Sequence, residues 1–339
     1  MAKTALEIIQ EDRAKLSNII IENLNTKGLG WFKEWSNLAT PQNGTNDTKY
    51  RGGNKIKLGT VALENNFKDP RWATMKQIKD KGWSLVENPV SVMCEYWKFF
   101  EKENKETGEL KKIPMVNYFR VYNFSQIKDK EGKFLEPFKV PEREKNQDLQ
   151  KVIVQLEKTS KCPINYTLGD RAYYSSQSDI IVLPSPDLFK DDKGHISTLL
   201  HEMSHSTGHE TRLDRQLGNA FGTPEYAREE LRAEISSMFL LSELGVKVED
   251  REFNNNQEYI KDWVSVLQND PNEIYRASTD ADKITDYIIE EYNDIEKSYE
   301  LEKATKELEK ESVIEVVSPI KEKEGKAKDG KADDEHELE

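Results

Sequence analysis

Four of the five histidines in this sequence, His195, His201, His205 and His209, fall within fifteen positions. His201, Glu202 and His205 spell H-E-x-x-H in a run whose spacing predicts a helix from about Ile196 to Gly208. Residues i and i+4 share a helix face, so both imidazoles can reach one metal ion. Glu202, beside the first of them, is placed to take a proton from water activated at that metal. His195 has no role in this pattern and is expected at the surface.

A catalytic zinc site takes three protein ligands and leaves a position open. His209 is a poor third ligand, because Gly208 and His209 break the spacing of the extended metzincin motif H-E-x-x-H-x-x-G-x-x-H. A better one lies downstream in Glu229-Glu230-Leu231-Arg232-Ala233-Glu234. This E-x-x-A-E run is similar to the E-x-x-A-D of gluzincin-type peptidases. By that analogy Glu230 is the ligand. Glu234, one turn on, orients a histidine through its free ring nitrogen. Glu229 points about a hundred degrees away on the helix and is the weaker choice. Two imidazoles and a carboxylate favour Zn2+.

These residues need elements to hold them. Thr223 as N-cap, Pro224 at the first helical position and Gly245 as the stop predict a helix over Pro224 to Leu244. Arg171 to Pro184 reads as two strands joined by the turn Ser175 to Ser178. Such a pair beside the motif helix is either plain core or an edge that holds an extended peptide. Tyr173 or Tyr174 could then reach the oxyanion. Lys151 to Lys158 is a helix or a strand, and helices are expected at Asn256 to Asn269 and Pro271 to Leu301.

Upstream, residues 5–26 read as an amphipathic helix and Gly28 to Gly53 as a turn-rich stretch. Short helices are expected at Val61 to Asn66 and Trp72 to Lys81. Residues 83–100 and 113–124 read as strands around a charged hairpin tip, Glu101 to Lys112. Residues 126–150 are polar and contain Pro137 and Pro141. The domain boundaries expected are therefore 1–130, a linker at 131–150, 151–300 and a tail at 301–339. Within that tail, residues 321–339 carry 13 charged residues and no aromatic, a composition of disorder.

The net charge of -13 argues at first against nucleic acid. Split at residue 150, however, the chain carries +5 and then -18. Five of the six tryptophans lie in the positive half, at 31, 35, 72, 83 and 97, among cations and amides. Stacking on aromatics beside a basic groove is how single-stranded nucleic acid is held. The opposing reading is that the tryptophans are core and the cations solvated. The candidate contacts are Tyr50, Arg51, Asn54, Lys55, Lys57, Arg71, Trp72, Lys76, Gln77, Trp83, Arg120 and Tyr122. Cys94 and Cys162 form no pair motif, which excludes a disulfide framework and a cysteine zinc ribbon. Mean hydropathy is -0.82 and the apolar runs are far too short to span a bilayer. The first residues show no secretory h-region, so a cytoplasmic protein is expected.

In order along the chain, YRGGNKIKL (50–58), DPRWATMKQIKDKGW (69–83) and YFRVYNFSQI (118–127) resemble the N-terminal domain of ArdC-like antirestriction proteins. GDRAYYSSQSDIIVLP (169–184), TLLHEMSHSTGHETRLDR (198–215), FGTPEYAREELRAEISSMFL (221–240) and the segment from Asp262 to Ile288 resemble their C-terminal zincin-like domain. The resemblance spans roughly residues 5–295. Where the family often has Trp after the second histidine, this chain has Ser206. The resemblance implies an α+β fold of two domains. An N-terminal domain binds single-stranded DNA, and a zinc metallopeptidase domain holds its metal through His201, His205 and Glu230, with Glu202 catalytic. It implies a plasmid or other mobile-element protein that shields incoming DNA from host restriction during conjugation, with a host protein as a possible substrate. Two alternatives stay open. One is a zinc peptidase whose N-terminal domain recruits its substrate. The other is a non-enzymatic DNA protector with structural zinc.

Overall fold

The computed structural model describes residues 3–103, 110–139, 148–247 and 257–316. The chain divides into two compact units, Met1–Asn293 and Asp294–Glu339. The fold is α+β, with two domains in sequence. Helix α1 (Ala5–Lys27) starts on a capping box between Thr4 and Glu7. Helix α2 (Gly30–Ser36) follows within the stretch read from sequence as turns. Its Trp31, Phe32 and Trp35 are buried, so packing and not propensity makes this helix.

Helix α3 (Gly52–Glu64) begins nine residues before the expected Val61. Its glycines are what allow it. A Cβ on Gly53 would sit 1.9 Å from the Tyr275 ring, and one on Gly59 would sit 2.2 Å from the Trp35 indole. The expected helix Trp72 to Lys81 splits in two. Arg71–Thr74 is strand β2 and Met75–Asp80 is helix α4. Thr74 and Gln77 form the capping box at the division.

Strand β1 (Gln42–Asn43), β2, β4 (Ser91–Glu103) and β5 (Leu110–Asn123) form one sheet in the order β1-β2-β5-β4. The hairpin strands run further toward the tip than expected, but the first begins at Ser91 and not at 83, and residues 104–109 lie outside the described residues. Strands β3 (Ser84–Leu85) and β6 (Ile127–Lys128) pair separately. Of the expected linker, residues 140–147 lie outside the described residues.

Helix α5 (Leu149–Thr159) leads to strands β7 (Ile164–Thr167), β8 (Tyr173–Ser175) and β9 (Ile180–Pro184) in the order β7-β9-β8. Strand β8 is an edge, antiparallel to β9. Helix α6 (Asp192–Ser206) starts earlier than expected because the Asp191 side chain caps it. Helix α7 (Pro224–Leu244) has the expected ends, with Gly245 in the left-handed conformation. Helices α8 (Gln257–Asn269) and α9 (Glu273–Val316) complete the order. The tail residues 317–339 lie outside the described residues.

One hydrophobic core joins Leu16, Ile20 and Trp35 to Leu231, Phe239, Trp263 and Ile274, so α1 and α2 pack on α7, α8 and α9. A second, with Leu156, Ile181, Leu200 and Leu240, fixes α6 between the three-stranded sheet and α7. Both faces of α6 are therefore held, which positions the histidines. His195 is buried, not at the surface as expected. Its Nε2 lies 2.9 Å from the Tyr166 hydroxyl and its ring stacks on Phe189 at 4.5 Å. Both cysteines are free and buried. Among the described residues no helix is long and apolar enough to cross a membrane.

Candidate metal centre

One turn of α6 presents His201 and His205, and the facing turn of α7 presents Glu230. Their ligand atoms lie within 4.8 Å of one another. The two Nε2 atoms are 3.2 Å apart. The Glu230 oxygens lie 3.6 Å from His201 Nε2 and 3.5 Å from His205 Nε2. A tetrahedral ion with bonds near 2.05 Å needs ligand atoms roughly 3.4 Å apart. The three groups fit a divalent cation: the two histidines expected from their spacing and the Glu230 expected from the gluzincin analogy.

Each histidine is backed through its other nitrogen. His201 Nδ1 lies 3.2 Å from Glu234, as the analogy expected. His205 Nδ1 lies 3.3 Å from Glu229, a partner the sequence gave no sign of. Glu229 points away from Glu230, as helix geometry requires, and that is why it meets the far side of His205 instead of the metal position. Arg215 then holds Glu229 in a bidentate pair at 2.7 and 3.1 Å. The same guanidinium donates to Thr207 Oγ1 and the Ser204 carbonyl, each at 2.8 Å. His209 lies outside the cluster, bonded to Thr211.

The electrostatics follow from this packing. Burial alone would lower the histidines, but Glu230 and the backing carboxylates outweigh it. His205 is pushed up to about 9 and His201 well above its ordinary value. Burial raises Glu230, yet the two imidazoles hold its carboxyl far below the usual range. Glu202 is buried, and burial pushes its carboxyl up. It accepts the backbone N–H of Tyr174, which ties edge strand β8 to the motif helix.

The site opens into a cleft of about 510 Å³ with Tyr173 on one side and Leu217, Tyr226, Tyr259 and Trp263 among its other walls. Tyr174 cannot serve an oxyanion here. Its hydroxyl donates to Asp179 at 2.7 Å and meets Arg212 at 3.1 Å. Tyr226, four residues before Glu230, lines the cleft instead, with its hydroxyl 3.2 Å from that of Tyr259. The i, i+4 spacing to Glu230 was the available signal.

The twelve expected DNA contacts fare differently. Trp72, Lys55 and Lys57 are buried and offer no ring face or free charge to a ligand. Trp72 is core beside Leu58, Val92 and Val121. Lys55 Nζ meets Asp282 at 3.3 Å, and Lys57 pairs with Asp12 and the Met93 carbonyl. Tyr50, Trp83 and Tyr122 are half-buried and packed on the sheet cores. Asn54 is a structural plug whose amide exchanges two 2.8 Å bonds with the Glu95 backbone. Arg71 is held by Asp69, and Gln77 caps α4. Only Arg51, Lys76 and Arg120 of the twelve are exposed.

Comparison with known proteins agrees with this organisation. Residues 10–122 match the N-terminal domain of anti-restriction factor ArdC, and residues 152–280 match the zincin-like metallopeptidase family. Among solved structures, the antirestriction ArdC protein of plasmid R388 in a metal-free form is 28% identical with a TM-score of 0.67. That match covers 83% of this chain and 98% of the other. Its Mn(II)-bound form is 27% identical with a TM-score of 0.65, covering 83% and 97%. Two proteins named DNA primase TraC from Escherichia coli are 34% and 32% identical over 80% and 84% of this chain. The chain spans only 19% and 27% of their lengths. A Sinorhizobium fredii protein, y4eC, is 24% identical over 87% of this chain and 96% of its own. The chain is thus ArdC-like, an N-terminal domain of the anti-restriction factor ArdC type followed by a zincin-like metallopeptidase domain.

Proposed function

We propose that this chain is a mobile-element antirestriction protein that binds single-stranded DNA and carries a metal-dependent peptidase site. The observation that supports the enzymatic part most is the convergence of His201, His205 and Glu230 beside a buried Glu202. A purely structural site has no need of that fourth, proton-accepting group. When bound, the ion supplies Lewis acidity to water and to a peptide carbonyl. The donor set favours Zn2+, while the R388 relative was solved with Mn(II).

The protein's own groups then do three things. Glu202, made more basic by burial, takes the proton of the attacking water at its carboxylate and returns it to the leaving amine. The free edge of β8 pairs with the backbone of an extended substrate. Glu234 and Glu229 hold the imidazoles through Nδ1, leaving each Nε2 on the side of Glu230, where a bound metal would be held.

The test is Glu202→Gln in the full chain. It should retain the metal of the wild type, measured for zinc and manganese, and lose proteolysis. In a conjugation assay against a restricting host, protection lost with proteolysis assigns the antirestriction role to catalysis. Protection kept by the inert variant assigns it to DNA binding alone.

A further inference from the structure

With Trp72, Lys55 and Lys57 inside the protein, rings and cations meet at the surface elsewhere, on the outer part of the β4–β5 hairpin. The two strands pair in unbroken register from Ser91↔Tyr122 to Glu103↔Leu110. Residues directly opposite share a face, and so do residues two apart. Trp97 and Phe99 therefore stand on the same face as Tyr118, Arg120 and Lys112.

The root of that face is closed. Glu95 is buried and bound by Arg13 from α1. Beyond it the rings emerge, with Tyr118 41%, Trp97 43% and Phe99 65% exposed. Tyr118 lies opposite Glu95, one step before Trp97, and Phe99 lies one step after. Successive same-face positions on a strand are about 6.7 Å apart. That is about twice the 3.4 Å rise of stacked bases in a duplex. The row thus suits bases drawn apart from each other, each stacked on a ring, and not a closed helix.

At Trp97, the middle of the row, the face borders a cavity of about 400 Å³ lined by Arg13, Arg51 and Lys283, by Glu95 and Asp282, and by the first residues of α3, Gly52 to Asn54. The Arg13 guanidinium lies 5.9 Å from the Trp97 ring centre. The N-terminus of α3 faces the same cavity, but its Gly52 amide already donates to Asp282. Each cation is already partnered, Arg13 by Glu95, Arg51 by Asp286 and Lys283 by Asp280. A phosphate there must share them, so stacking carries most of the binding and the charges set direction and register.

We propose that the Tyr118–Trp97–Phe99 row, with the Arg13–Arg51–Lys283 cavity beside Trp97, is the binding path for single-stranded DNA. This rests on the reading that the chain binds single-stranded DNA at all. Among the described side chains the exposed part of this face carries the rings with Lys112 and Arg120 against one carboxylate, Glu101 opposite Lys112, and this excess of cations favours a nucleic acid over a second copy of the chain.

The experiment uses the full chain and a fluorescein-labelled oligo(dT), read by anisotropy. Trp97→Ala and Phe99→Ala should each weaken binding about tenfold, and Trp97→Phe much less. Both side chains are exposed, and unchanged melting temperatures would show that the fold is kept. The matching duplex should bind more weakly than the single strand. If the wild type binds no oligonucleotide, the single-strand reading falls and this site with it. If the wild type binds but the double variant Trp97→Ala/Phe99→Ala stays within twofold, the site is wrong while the reading stands. If the double variant instead converts a dimer to a monomer in sedimentation with DNA affinity unchanged, the hairpin is a self-association surface and the proposal is overturned.

Discussion

Replacing Arg215 by Gln tests whether the carboxylate behind His205 tunes the metal site or only braces the fold. Wild-type Arg215 makes two bonds to Glu229, at 2.7 and 3.1 Å, and one each to Thr207 and Ser204 at 2.8 Å. Both partners of the pair are buried, with side-chain exposures of 12% and 10%. Gln can keep one of the bonds to α6 but cannot span to Glu229. Breaking a buried pair on one side costs roughly 3–5 kcal/mol. The low end applies, because Glu229 keeps His205 as a partner. Weakening the group that orients a ligand histidine costs about 10–100-fold in metal affinity. Two measurements separate these effects: urea unfolding of the metal-free protein, and zinc affinity by competition with a chelator. We expect both to fall in Arg215→Gln. Glu229→Gln should lower zinc affinity by a similar factor. The double variant should be less impaired than the sum of the singles, because it leaves no unpaired buried carboxylate. A zinc affinity within twofold of wild type, with stability lost, would refute the reasoning and leave Arg215 as a brace between α6 and α7.

Metal affinity should rise with pH. His205 is pushed up to about 9 in the metal-free site, so the incoming ion displaces a proton below that pH. The apparent affinity should increase up to about tenfold per unit for each proton displaced, and calorimetry in buffers of different ionisation heat would count those protons. The metal-free protein should show the opposite trend. A histidine pKa raised from 6.5 contributes stability that is complete below 6.5 and lost as pH rises through about 9, which unfolding at fixed urea would follow. Trp72→Ala should destabilise the protein by about 3–5 kcal/mol, since its ring is fully buried. Oligonucleotide affinity of the folded fraction should stay unchanged, in contrast to the hairpin variants.

The metal site was legible because its signals are local. H-E-x-x-H and E-x-x-A-E each declare one helix face, and Thr223, Pro224 and Gly245 mark the ends of α7. The strand pair within Arg171 to Pro184 was readable for the same reason, but whether it formed an edge or plain core was not. What failed depended on partners far along the chain. Lys55 reads as a surface cation until Asp282, 227 positions later, is placed against it. Glu229 has no local mark of function because its role depends on Arg215 folding back over α6. Helix α2 was hidden by its flanking glycines and is made by burial of Trp31 and Trp35 against α7 and α8. The division of β2 from α4 was legible in principle: Thr74-x-x-Gln77 is a capping box, and apolar residues on both sides of it blurred one element into the next.

The split of charge between the two halves has an internal explanation as well. Three cations of the positive half are committed to the negative half: Lys55 to Asp282 and Glu243, Lys49 to Glu243, and Arg51 to Asp286. The Gly52 amide also donates to Asp282. Arg51, Gly52 and Lys55 belong to the YRGGNKIKL run, whose cations were candidate DNA contacts, and Lys49 directly precedes it. Their carboxylate partners come from α7 and α9, so the run joins the two sequence halves before it can meet any ligand. A charge asymmetry along a chain therefore does not identify a nucleic-acid surface until the pairs formed between the halves are removed. Once they are removed, the exposed rings of Trp97, Phe99 and Tyr118 still stand with exposed cations such as Lys98, Lys112 and Arg120. Any DNA binding by this half can therefore draw on stacking as well as on charge, but not at the YRGGNKIKL run.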